Sequence, residues 1–65
     1  MSYQELLLTL SNADNNHRAK NYLDWNLKIQ DKLNQYKLRS LLDLINIDPE
    51  FAIKMAKSAK RLKLA

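Results

Sequence analysis

Wound as a helix at 3.6 residues per turn, the segment from Arg18 to Tyr36 sets Tyr22, Trp25, Ile29, Leu33 and Tyr36 along one stripe. Ala19, Leu23 and Leu27 widen that stripe to roughly half of the circumference. Lys20, Asp24, Lys28, Asp31 and Gln35 fall on the opposite side. A helix this amphipathic has to shield its apolar flank. It also carries most of the large side chains in the chain, so the other elements are expected to be arranged around it.

The alternatives to a helical fold are weak. The 65 residues include no glycine and one proline, whereas hairpins and bulges draw heavily on Gly, Asn and Pro. With 46% apolar and 28% charged residues, the chain is too apolar for a disordered one. The expected fold is all-α, a single helical domain over residues 1–65. Its helices fall at about 3–10, 13–36, 38–46 and 49–62, making a bundle of three or four.

Small size restricts how such a bundle is held. A chain of this length buries only about 60% of the surface it exposes unfolded, so its core is thin. No cysteine is present to form a disulfide, and His17 is the sole histidine, so a metal staple has no ligand cluster. What remains is close helix packing or self-association. The wide stripe on the central helix favours a homodimer, because two short helices would struggle to cover it.

The boundaries follow from capping chemistry. Ser2 with Glu5 has the form of a capping box at the head of an apolar helix bearing Leu6, Leu7, Leu8 and Leu10. The run Ser11-Asn12-Ala13-Asp14-Asn15-Asn16 is the first break, with Ser11 and Asp14 a second capping box and the next helix starting near Ala13. Asp14 with Arg18, Lys20 with Asp24 and Asp24 with Lys28 then stand four residues apart as stabilising pairs. Beyond Tyr36 the apolar set shifts to Leu38, Leu41, Leu42 and Ile45. Either the helix breaks between Asn34 and Ser40, with Ser40 and Asp43 as the new cap, or one long helix meets different neighbours along its length.

Asn46-Ile47-Asp48-Pro49 is the clearest punctuation. Asn46 suits a left-handed helix end, Asp48 an N-cap and Pro49 the first helical position. In the last helix, Phe51, Met55, Ala59 and Leu62 form the expected inward stripe, with Ala52 and Ala56 beside it.

Nothing in the chain assembles catalytic chemistry. There is no Cys nucleophile, the serines stand at caps or on a basic face, and no Gly-rich loop cradles phosphate. Asp14 and His17 are only two ligands, short of a metal site. No enzyme activity, cofactor or metal is expected.

Two features remain. Tyr22, Trp25 and Tyr36 are residue types enriched at binding hot spots, and they are the candidate contacts for a larger protein partner, although a stripe of this kind is more often the chain's own core. Trp25, at the stripe's edge beside Lys28 and Lys32, has a position that leaves half exposure open. The second feature is charge. The net charge is +4, yet residues 51–65 hold Lys54, Lys57, Lys60, Arg61 and Lys63 with no acid. Such a helix binds phosphate backbones, acidic protein grooves or anionic membranes. Membrane binding is the least favoured, since Ala52, Ala56 and Ala59 give a weak apolar face.

A helix-turn-helix over Leu41 to Lys60 is present only in outline, because Asp48-Pro49-Glu50 puts acid where bases would be read. The leading expectation is a non-catalytic regulatory or interaction protein in the cytoplasm, of a size and composition that would suit a phage or plasmid accessory protein. The alternative is a nucleic-acid-binding protein acting through the basic tail. No stretch approaches the ~20 apolar residues of a membrane span, and no leader is visible at the N-terminus.

Overall fold

In the computed structural model, which describes all 65 residues, four helices follow one another: α1 (Tyr3–Asn15), α2 (Tyr22–Tyr36), α3 (Leu41–Ile47) and α4 (Pro49–Arg61). There is no strand. The all-α reading therefore holds, as does the division of the central region into two helices. None of the four is long and apolar enough to cross a membrane.

The first boundary moves. α1 runs to Asn15 instead of ending near Leu10, and Ser11 lies inside it. The reason is burial. Leu6, Leu10 and Ala13 recur on one helical face and are all buried, so packing overrides the weak helix preference of Ser11 and Asn12. Asn16 ends the helix, and its side-chain amide donates to the Leu64 carbonyl at 3.1 Å. α2 begins only at Tyr22, after a loop held by Ala19 N–H to Asn16 O and Tyr22 N–H to Ala19 O. Arg18 and Lys20 are thus loop residues, and of the three expected helical charge pairs only Asp24 with Lys28 shares one helix.

Three serine and aspartate caps behave as their spacing requires. Ser2 Oγ accepts from Glu5 N–H at 3.1 Å, Ser40 Oγ from Asp43 N–H at 3.2 Å, and Asp48 Oδ1 from Phe51 N–H at 3.2 Å. Asn46, by contrast, does not close α3. That helix continues through Ile47, and Asp48 alone separates it from α4.

Two helix ends use a device that the composition conceals. Lys37 and Lys63 both have positive φ, 58° and 61°. After α2, Leu38 N–H donates to Leu33 O at 2.8 Å and Lys37 N–H to Asn34 O at 3.2 Å; after α4, Leu64 N–H donates to Ala59 O at 2.8 Å and Lys63 N–H to Lys60 O at 3.1 Å. These paired bonds are Schellman closures. Lysine takes the left-handed place that glycine would normally fill.

The core gathers Leu6, Leu10 and Ala13 of α1, Trp25, Ile29 and Leu33 of α2, Leu44 and Ile45 of α3, and Ala52, Met55, Ala56 and Ala59 of α4, closed by Leu64. The most extensive helix contact is α1 on α4; α2 and α3 pack onto that pair and barely meet each other. The organising element is therefore the α1–α4 pair, not α2. On α2 the stripe is also narrower than its sequence implies. Leu23 and Leu27 are 65% and 50% exposed. On α4 the deeply buried face is that of the alanines and Met55, while Phe51 and Leu62 are only partly covered.

Candidate binding groove

The three aromatic candidates on α2 all commit their polar atoms to hydrogen bonds within the fold. Trp25 is 1% exposed, and its Nε1–H donates to the Met55 carbonyl at 2.9 Å. The half exposure that its edge position left open does not occur: α4 lies over the ring, and Trp25 belongs to the core, offering no surface to a partner in this fold. It fastens α2 to the middle of α4.

Tyr22 and Tyr36, both half-buried, act at the two ends of α2. The Tyr22 hydroxyl donates to Asp14 Oδ1 at 3.4 Å, and its ring lies 5.0 Å from that of His17. Burial, then the neighbouring Asp14 charge, raises the Tyr22 pKa above its ordinary value. The Tyr36 hydroxyl donates to Asp48 Oδ2 at 2.8 Å. This bond raises the Tyr36 pKa and is the main cause holding the Asp48 carboxyl below the usual range, with the Phe51 amide and Lys32 adding to the effect on Asp48. Asp48 therefore ends α3, caps α4 and anchors the C-terminal end of α2.

The cations form the distinctive surface. A groove of about 500 Å³ runs between α2 and α4. Lys28 and Lys32 line one side; Lys54, Lys57 and Arg61 line the other. Asp31 is the single carboxylate among the lining residues, and Phe51 and Met55 supply the apolar part. Lys32 is held in place, its Nζ 5.2 Å from the Phe51 ring centre and 5.5 Å from that of Tyr36. Distances of this size are within cation–π range. Arg61 Nη2 lies 3.5 Å from Ser58 Oγ.

Of the five cations expected to act together in the tail, the fold brings Lys54, Lys57 and Arg61 into the groove and leaves Lys60 and Lys63 outside its lining. Lys63 instead supplies the positive-φ residue that closes α4. Sequence reasoning assigned neither Lys28, which it put on the solvated side of the helix, nor Lys32, which it named only as a neighbour of Trp25, to this surface. The signal was their four-residue spacing on the flank next to Trp25: a helix docked on the indole has to run beside them.

The helix-turn-helix outline fails on geometry as well as charge, since α3 and α4 are joined by one residue, where such motifs use a turn of three to four. The chain matches no protein-family model, no curated protein and no solved structure.

Proposed function

We propose that this chain is a non-catalytic binding module that holds an acidic segment of a larger protein in the α2–α4 groove. The observation that carries the reading is the groove lining: five cations against one carboxylate, on either side of an apolar patch of Phe51 and Met55. Its volume lies within the range of small binding pockets and admits a few side chains of a peptide. An amphipathic acidic helix or strand would set carboxylates on the two cationic walls and an apolar side chain over Phe51. Protein binding of this kind takes over the role first considered for Tyr22, Trp25 and Tyr36, whose polar atoms are already used within the fold.

Nucleic acid is the second reading. It draws on Lys54, Lys57, Lys60, Arg61 and Lys63, all exposed along a segment with no acid. A concave strip favours a peptide over a convex phosphate backbone. Self-association belongs to the same proposal, since Leu23 and Leu27 remain uncovered in one copy. Occupancy of a partner's acidic surface would give the chain a regulatory role.

Fluorescence anisotropy separates the two readings. A labelled helical peptide built from Glu and Leu should bind, and Lys32→Glu with Lys57→Glu should weaken it at least about tenfold. A labelled single strand of oligo-dT should bind poorly. The opposite ranking, with oligo-dT affinity collapsing between about 50 and 200 mM salt, overturns the protein reading.

A further inference from the structure

We infer that two copies of this chain pair through the outer face of α2, antiparallel, about a two-fold axis beside residue 25. The inference rests on the self-association proposed above and names its surface. Leu23 and Leu27 lie one turn apart on the side of α2 turned away from Ile29 and Leu33, and they are 65% and 50% exposed. Large apolar side chains placed together in solvent mark a contact surface more often than scattered ones do.

The charges around these leucines specify the occupant. A two-fold contact must be self-complementary, with residue i meeting j and j meeting i. In an antiparallel pair, facing residues have numbers of nearly constant sum. Setting Leu23 against Leu27 of the second copy fixes that sum. Asp24 then faces Lys28 of the second copy, and Asp31 faces Lys20, which stands in the loop leading into α2. Each of these four is exposed and so free to pair. No like charges are opposed. The leucines lie along one edge of the contact and the Asp24–Lys28 pairs along the other, and antiparallel packing keeps each edge facing its own kind.

A parallel arrangement loses this match, because its two-fold axis runs along the helices and sets the leucine edge of one copy against the Asp24–Lys28 edge of the other. The pairing turns two groove-lining residues, Asp31 and Lys28, toward the second copy, and Lys32, Lys54, Lys57 and Arg61 keep the groove cationic. The assembly carries two grooves, which lets a partner with two acidic segments bind with avidity.

Sedimentation equilibrium from about 10 µM to about 1 mM protein tests this. The parent chain should show a monomer–dimer equilibrium. Asp24→Lys alone and Lys28→Asp alone should each weaken the dimer at least about tenfold, and the two combined should restore it to within about threefold. Leu27→Asp should leave a monomer with unchanged helical circular dichroism, because Leu27 contributes nothing to the core of one copy. A dimer indifferent to both charge reversals overturns this interface while leaving self-association standing. A monomer at every concentration overturns both.

Discussion

Ala52, Ala56 and Ala59 are wholly buried along α4, while the larger Leu23 and Leu27 stand at least half in solvent on α2. Side-chain size and oiliness favour the leucines for burial, so position on the helix decides instead. α4 packs against α1, α2 and α3. Methyl side chains let those neighbours come close, and Leu10, Trp25 and Leu44 supply the bulk that fills the space. α2 packs on one side only, and whatever lies on its far side is left uncovered. The contrast separates two uses of apolar residues in one short chain, a tight seam made with small groups and an open face made with large ones.

The sharpest way to break the contrast is to remove the bulk that the seam depends on. Trp25→Ala should cost about 3–5 kcal/mol, enough to unfold most of the protein given the few kcal/mol that a domain this size commands. It deletes the largest buried side chain and leaves the Met55 carbonyl without its indole donor. Chemical denaturation followed by circular dichroism reads this directly.

Overfilling the seam tests it from the other side. Ala56→Leu adds volume where the fold allows none, and it should cost about 1–3 kcal/mol despite raising helix-compatible apolar content. A stabilised variant would mean that the seam is looser than its burial implies. The open face should respond least. Leu23→Gln with Leu27→Gln should move monomer stability by no more than about 0.5 kcal/mol, measured at protein concentrations low enough to exclude dimer. A loss comparable with that of Trp25→Ala would place those leucines in the core.

Much of the fold was legible from capping residues and periodicity. Ser2, Ser40 and Asp48 each sit three residues before the amide they accept from, a local relation that needs no tertiary knowledge. The Trp25–Ile29–Leu33 stripe was visible for the same reason. The extent of α1 was not, because Ser11 and Asn12 look like a break unless Ala13 is known to enter the core. Nor was the exposure of Leu23 and Leu27, which depends on how many neighbours α2 acquires. The groove was half legible. Lys54, Lys57 and Arg61 are marked by the acid-free tail, whereas Lys28 and Lys32 join them only through the docking of α4 on Trp25. Two chain segments some thirty residues apart become one surface (Trp25 to Met55 in the hydrogen bond that joins them), and no local pattern encodes that.

The left-handed lysines bear on how the positive charge of this protein is to be counted. Any residue with a Cβ takes that backbone region at a cost of about 1–2 kcal/mol, and glycine would avoid it. Lysine, however, sets a cation at the negative pole of the peptide dipoles just where the helix stops, which offsets part of the expense. Of the eleven Lys and Arg residues, Lys37 and Lys63 are thus first of all architectural. Both keep exposed ammonium groups all the same, and the densest set of cations is the one that α2 and α4 hold side by side along the groove.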